Sequence, residues 1–172
     1  MGGVLVLFGI AAGTIAGLGG NWSNNLRWTL FITIGYGLLG LLDDLLNIVF
    51  HRSLGLKARH KLLGQVFLAG LFGLYVVHSG VMGTLIVPYF HTHLAFINPV
   101  LTFLFVVFTM VAMSNAVNLT DGLDGLAGGT TMIAGLAMGI LALLQGEMQL
   151  GIFAAALVGA CTGFIWFNAP PA

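Results

Sequence analysis

The sequence contains very little charge. Only 6% of its 172 residues are Asp, Glu, Lys or Arg, whereas hydrophobic residues make up 59%. An ordinary soluble domain carries roughly 25% charged residues, so this composition argues against a water-soluble protein and predicts an integral membrane protein. The formal net charge is zero, and nothing in the overall charge indicates nucleic acid as a partner.

Cysteine is almost absent, and no charge precedes the first apolar run. The single cysteine, Cys161, lies inside the last apolar run. It allows no internal disulfide, and we interpret it as a packing residue. Met1 leads through Gly2 and Gly3 directly into apolar sequence, so no cleaved signal peptide is evident.

Long apolar runs are abundant. They cover residues 1–18, 28–42, 62–77, 100–113, 125–144 and 148–167. A helix needs about 20 residues to cross the hydrocarbon core, or fewer if its ends are polar, whereas a membrane barrel strand alternates apolar and polar residues over about ten positions. We therefore predict an all-α fold, a polytopic transmembrane bundle of about six spans, forming one domain over residues 1–172.

Glycine occurs 26 times. Small residues let membrane helices approach closely, and we expect this role for Gly13, Gly17 and the glycines between 35 and 40. Gly135 and Gly139 have the GxxxG spacing, which is a weak signal in a sequence so rich in glycine.

The distribution of cations orients the spans. Four of the five cations, Arg52, Lys57, Arg59 and Lys61, lie between the second and third runs, and the positive-inside rule places this connection in the cytoplasm. Alternation then puts residues 19–27, 78–97 and 145–149 outside. The positive-inside rule uses only the cations, so the positions of the acidic residues are an independent observation. Four of the five acidic residues fall on the cytoplasmic side: Asp43, Asp44, Asp121 and Asp124. We therefore expect a single cytoplasmic site.

Two adjacent carboxylates, Asp43 and Asp44, follow an apolar segment without any polar residue between. Adjacent like charges raise the pKa of one member or recruit a metal, although a simply solvated helix end is the alternative. The nearby cations Lys57, Arg59 and Lys61 suit phosphate groups, or serve only as a topology signal.

The stretch "NAVNLTDGLDGLAGG", residues 115–129, is the most polar in the second half of the sequence. Asn115, Asn118, Asp121 and Asp124 recur every three residues, which would align them on one side of a helix. Gly122 and Gly125 then allow close backbone approach or local unwinding. Such hard oxygen ligands suit Mg²⁺, which binds protein through one or two carboxylates while holding a substrate's phosphates. A capping role for Thr120 and Asp121 ahead of the next run is the structural alternative.

The loop between the third and fourth runs contains His78, His91 and His93. His91 and His93 could form a metal pair, but no third ligand is nearby. We interpret them as ordinary interfacial loop residues, with Tyr89 and Phe90 as interfacial aromatics.

Together these motifs resemble the polyprenyl-phosphate N-acetylhexosamine-1-phosphate transferase family, and most of all its bacterial members that act on a muramoyl-pentapeptide donor. The matching segments, in the family's order, are "MGG" at 1–3, "LLDD" at 41–44, "KARHKLLGQ" at 57–65, "NAVNLTDGLDGLAGG" at 115–129 and "WFNAPPA" at 166–172. The long Asn/Asp motif is highly specific, whereas the others are moderately so.

The resemblance implies a Mg²⁺-dependent transfer of phospho-N-acetylmuramoyl-pentapeptide from its UDP-linked donor to undecaprenyl phosphate, with release of UMP, at the cytoplasmic face of the bacterial plasma membrane. It implies catalytic roles for Asp43 and Asp44, and metal binding by Asp121 and Asp44. It also implies a set of substrate-binding residues: Lys61, Asn118, Asp121, Asp124 and Asn168. Direct attack and a covalent aspartyl intermediate are both compatible with it, and a homodimer is common in the family.

The sequence also departs from the family. The family has another span before "MGG", and after "NAPPA" it continues into a segment with a further catalytic Asp, more spans and a His-rich cytoplasmic loop. We therefore expect this chain to be an internal fragment, truncated at both ends, and to be inactive by itself.

Four alternatives remain. A sister enzyme that uses UDP-N-acetylglucosamine for another glycan shares the acidic motifs. A transporter or ion pathway would hold carboxylates near the bilayer midplane, and an intramembrane prenyltransferase would space its acidic residues differently from Asp43 and Asp44. A scaffold role predicts that the aspartates are dispensable.

Overall fold

A computed structural model describes residues 2–49, 56–80, 84–87, 92–95 and 98–168. Within these ranges the chain forms six helices and one short hairpin. The helices are α1 (Gly2–Leu18), α2 (Asn24–Val49), α3 (Ala58–His78), α4 (Pro99–Thr120), α5 (Leu126–Leu144) and α6 (Met148–Asn168), and the strands are β1 (Thr84–Val87) and β2 (Thr92–Ala95).

The helices confirm the predicted all-α membrane architecture. Five of them, α2 to α6, are long and apolar enough to cross a membrane. The 17-residue α1 is apolar but shorter, and at 1.5 Å per residue it extends about 25 Å. Large apolar side chains on the helix exteriors are widely exposed, for example Phe8 at 74% and Phe108 at 72%, as expected for side chains that face lipid.

The antiparallel hairpin was not predicted from the sequence. Its strands pair Thr84 with Ala95 and Val87 with Thr92, inside the connection that we interpreted as a loop. His91, Tyr89 and Phe90 lie outside the described residues, as does Arg52, so the interpretations of these residues stay predictions.

The described chain packs as two compact units. The first contains residues 1–55 and 116–172, and the second contains residues 56–115. The last five residues of α4, 116–120, therefore belong to the first unit. The single domain expected from the sequence stays a prediction.

In the first unit, α6 packs against α1 through small residues. A Cβ added at Gly9 would lie 3.0 Å from the Cβ of Ala160, and one added at Gly13 would lie 2.9 Å from the Cβ of Ala156. Gly17 faces Ile152 in the same way. Each step of four residues forward along α1 corresponds to a step of four residues backward along α6. The two helices therefore run antiparallel in close contact.

The same device joins α5 to α6. A Cβ at Gly135 would lie 3.2 Å from Leu157, and one at Gly139 would lie 2.9 Å from the Cβ of Ala154. Both glycines are buried, so the GxxxG pair is an interhelical contact here. Gly13 and Gly17 confirm the close packing expected of them, whereas Gly40 has open space around it.

Polar side chains tie together the two short connections at one end of the first unit. Gln149 Oε1 accepts a hydrogen bond from the backbone N–H of Ser23 at 2.7 Å, and Gln149 Nε2 donates to the carbonyl of Asn21 at 2.9 Å. Asn25 Nδ2 donates to Glu147 Oε1 at 3.1 Å. The α1–α2 and α5–α6 connections therefore share one end, as the alternation of spans predicts.

In the second unit, α3 and α4 contact each other in antiparallel directions. A Cβ at Gly73 would lie 2.9 Å from the Phe103 ring, and eight residues earlier on α3 the Gln65 side chain reaches Ser114 and Asn115 on α4. A glycine allows close contact with Phe103 at one level, and polar residues join the helices at the other.

The glycine contacts predict a position-dependent cost of added side-chain volume. Gly13→Val places carbon against the methyl group and Cα of Ala156, which cannot rotate away, and overpacking of this kind costs about 1–3 kcal/mol. We expect a lower thermal unfolding midpoint in detergent. The matched control is Gly159→Val on α6, where nothing lies within 4 Å of an added Cβ. Equal midpoints for the two variants would contradict the packing.

The arrangement of ends predicts opposite labelling of two exposed positions. Leu123 and Gln145 lie in the connections at either end of α5, and both are exposed, whereas the native Cys161 is only 3% exposed. Leu123→Cys should react with a membrane-impermeant maleimide only in inside-out vesicles, because we expect its connection in the cytoplasm. Gln145→Cys should react only in right-side-out vesicles, and the reverse pattern would overturn the orientation.

Candidate functional site

The aspartates of the first unit lie at one end of its helices. Gly128 on α5 faces Ile165 on α6. Gly125 comes three residues before Gly128 and Asn168 three residues after Ile165, so in these antiparallel helices Gly125 and Asn168 lie at the same level. Gly2 faces Phe164, so the start of α1 lies there too. We call this end, with Asp43, Asp44, Asn168 and the 121–125 turn, the aspartate end.

Asp43 and Asp44 reach the aspartate end from α2. Gly37 on α2 contacts Leu7 on α1. Asp43 follows Gly37 by six residues and therefore lies level with the start of α1, which runs in the opposite direction. The sequence predicted that the span ends at residue 42, but α2 continues to Val49. Both carboxylates therefore extend from helical backbone, where Asp43 is half-buried and Asp44 is exposed.

Asp121 and Asp124 lie in a turn between α4 and α5. The helical alignment predicted for the four polar residues is therefore wrong beyond Asn118, because α4 ends at Thr120. The Asp121 N–H still donates to the Val117 carbonyl at 3.2 Å, after which the Gly122 N–H donates to Thr120 at 2.8 Å and the chain leaves the helix. Both carboxylates are exposed.

A glycine in the left-handed conformation starts α5. Gly125 has φ 81° and occupies the N-cap position without a side-chain cap, a conformation that residues with a Cβ rarely adopt. The alternative that Thr120 and Asp121 cap α5 is thus wrong. Thr120 Oγ1 instead donates to the Ala116 carbonyl on its own helix at 2.9 Å.

The local electrostatics of the aspartate end favour a cation. The carboxyl end of α4 presents the negative pole of its helix dipole and the start of α5 a positive pole, but the exposed carboxylates of Asp121 and Asp124 lie between the two helices. In the described part of the chain no three His, Cys, Asp or Glu residues are grouped closely enough to hold a metal ion. The donor set fits Mg²⁺, which keeps several waters and takes only one or two protein carboxylates.

The start of α3, in the second unit, has the opposite electrostatics. Lys57 is the N-cap residue and the first turn contains no acidic residue. Arg59 and His60 are exposed and Lys61 is half-buried. Cationic side chains thus add to the positive pole of the helix, a combination that attracts phosphate and carboxylate groups.

One polar cluster escaped the sequence reasoning. Gln65 is 2% exposed. Its Nε2 donates to Ser114 Oγ at 3.1 Å, and its Oε1 accepts from Asn115 Nδ2 at 2.9 Å. Asn115 therefore uses its amide within the α3–α4 contact. An isolated glutamine inside an apolar run was the only available signal, and nothing local identified its partner.

The structure thus gives a position for each expected site residue, but the contacts described above do not join all of them into one site. Unit one carries Asp43, Asp44 and the residues from Asn118 onward, and unit two carries Lys61. Their convergence on one pocket stays a prediction.

The chain is similar in sequence to known proteins over its whole length. Three curated relatives are named phospho-N-acetylmuramoyl-pentapeptide-transferase. The relative from Bacillus licheniformis is 46% identical, that from Desulforamulus reducens 42% and that from Moorella thermoacetica 46%; each match covers 100% of this chain and 53%, 52% and 53% of the respective relative. The chain therefore spans about half the length of the curated relatives that it matches.

The family comparison covers most of the chain. The model of glycosyl transferase family 4 matches residues 26–172, a range that includes Asp43, Asp44, the α3 cations, the 121–125 turn and Asn168. Together with the curated relatives, this match confirms the resemblance drawn from the motifs. The protein belongs to glycosyl transferase family 4.

Proposed function

We propose that the complete protein transfers phospho-N-acetylmuramoyl-pentapeptide from its UDP-linked donor to undecaprenyl phosphate and releases UMP. The observation that carries this proposal is the 42–46% identity, over the whole of this chain, to relatives named for that activity. The gathering of Asp43, Asp44, the 121–125 turn and Asn168 at the aspartate end supports it, because the transfer needs several polar groups in one place.

The reaction requires a lipid and a soluble nucleotide to meet. A phosphate oxygen of the lipid forms a bond to the phosphorus that bears the sugar, and the bond from that phosphorus to the bridging oxygen breaks, so that UMP leaves with the electron pair. Helix ends at a membrane boundary suit this meeting, because the prenyl chain stays in hydrocarbon while the nucleotide stays in water. We place the aspartate end at the cytoplasmic face of the bacterial plasma membrane.

The aspartates have separate roles in this proposal. Asp43 and Asp44 orient the lipid phosphate, and Asp44 and Asp121 provide carboxylate oxygens for Mg²⁺. Bound there, Mg²⁺ neutralises charge on the diphosphate that is cleaved. Asn118, Asp124 and Asn168 bind the nucleotide portion of the donor: Asp124 is exposed on the turn, and Asn168 lies level with the start of α5.

The cations at the start of α3 would bind the phosphates of the donor. The half-buried Lys61 is the residue that the family resemblance assigns to this role. The first turn of α3 contains no acidic residue, and this concentration of positive charge at a helix start suits anionic phosphate groups.

The test follows Mg²⁺-dependent UMP release in membranes that contain this chain extended at both ends to the length of its relatives. Asp121→Asn should lower kcat by about 10²–10³-fold, the usual loss when one electrostatic stabiliser of a transition state is removed. The matched control is Glu147→Gln at the opposite end of the first unit, where the substituted side chain keeps the oxygen that accepts from Asn25, and its kcat should stay unchanged.

Donor choice separates the candidate functions. Turnover of UDP-N-acetylmuramoyl-pentapeptide supports the proposal, whereas turnover of UDP-N-acetylglucosamine alone assigns the protein to the sister activity. An enzyme that uses neither donor would return the transporter and scaffold hypotheses. Unchanged turnover in Asp121→Asn would exclude the proposed metal role.

A further inference from the structure

Gln65 is one of the most deeply buried side chains in the described part of the protein. Together with Leu26 and Thr14 it belongs to the largest fully buried side chains, although it lies in a helix long and apolar enough to span a membrane. A buried primary amide is costly unless its polar atoms are hydrogen-bonded. A leucine would fill similar space without that cost, so packing alone does not account for glutamine at this position.

The Gln65 amide bonds two consecutive residues of α4. It donates to Ser114 Oγ at 3.1 Å and accepts from Asn115 Nδ2 at 2.9 Å. Consecutive helical residues point about 100° apart. One side chain that bonds both therefore specifies the rotation of α4 about its axis as well as its height along α3.

Asn115 is itself held in orientation. Its Nδ2 also donates to the Val111 carbonyl at 2.8 Å, one turn back on α4. Both hydrogens of the Asn115 amide are thus committed, one to its own helix and one to α3. The side chain is a fixed bridge rather than a mobile polar group.

The bridge lies one helical turn from predicted site residues on each helix. On α3, Gln65 follows Lys61 by four residues, and on α4, Asn115 precedes Asn118 by three. Helix α4 is continuous from Asn115 to Thr120, and the Asp121 N–H still donates to the Val117 carbonyl. A rotation of α4 at Asn115 is therefore transmitted to Asn118 and Asp121.

We propose that Gln65 is a positioning residue, which through Asn115 sets the rotation of the last turn of α4 and hence the placement of Asn118 and Asp121 for reaction. This inference rests on the proposed transferase function. Gln65 itself touches neither substrate nor metal in this proposal. It acts only through α4.

The experiment uses the full-length protein and a double-mutant cycle. Gln65→Leu, Asn115→Leu and the double variant are purified, and kcat is expressed per folded molecule after size-exclusion chromatography. Each single variant should lower kcat by about tenfold to a hundredfold, the loss that follows a small misplacement of reacting groups. The KM for the UDP-linked donor should change much less, and the Mg²⁺ concentration for half-maximal activity should rise.

The double variant distinguishes coupling from independent damage. If Gln65 acts through Asn115, its kcat should be no lower than that of the worse single variant. Multiplied losses would overturn the proposal, because they would mean that the two residues act independently. Unchanged kcat per folded molecule in Gln65→Leu, with only a lower yield or thermal midpoint, would reduce the bridge to a structural contact and overturn it as well.

Two further measurements complete the design. Thr102→Val removes a buried hydroxyl that donates to the Asn98 carbonyl at the far end of the same helix, and it should leave kcat unchanged. The wild-type assay separates the two levels of inference. An inactive wild-type enzyme overturns the proposed function and this inference with it, whereas an active wild type with an unaffected Gln65→Leu variant overturns this inference alone.

Discussion

The cost of placing charge in hydrocarbon governs this structure. A charged side chain at the centre of a membrane helix is expensive, and it persists only where water, an opposite charge or a cavity compensates. Asp121, Asp124, Lys57 and Arg59 accordingly lie at helix ends or in turns. The helix dipole of α4 adds negative potential near Asp121, and that of α3 adds positive potential near Lys57. The apolar middle of the helices thus confines charge of either sign to their ends and to the last turns of α2.

Between those ends, hydrophobicity cannot hold the helices together, because lipid is as apolar as the side chains. Close contact between small residues and a few polar bridges replaces it. The first unit uses glycine and alanine along α1, α5 and α6, while the second adds the Gln65 bridge between α3 and α4. Small residues give proximity without specifying rotation, whereas hydrogen bonds at fixed positions specify rotation. The two devices therefore have complementary consequences for the site.

Sequence reasoning found what local patterns encode. Long apolar runs identified the six helices of the described residues, and the aspartates were assigned to one end before any contact was known. It was less accurate about where helices end and about which residues meet across helices. The span after residue 28 was ended at the first carboxylate, although α2 carries Asp43 and Asp44 on helical backbone. The period of three in residues 115–124 looked helical, but Gly122 and Gly125 break the helix after Thr120. The partner of Gln65 lies 50 residues away from it in Asn115, beyond the reach of any periodicity.

The contact between α1 and α6 restricts how the gene for such a protein can change in length. On both helices the contacting residues recur every four positions, and the two partners of each contact lie about 140 residues apart in the sequence. Inserting or deleting one codon inside either helix would rotate everything beyond it by about 100° and present bulky residues where glycine faces alanine. We therefore expect length variation to fall in the connections, and recombination with a homologue would preserve the contact only where both parents keep this spacing.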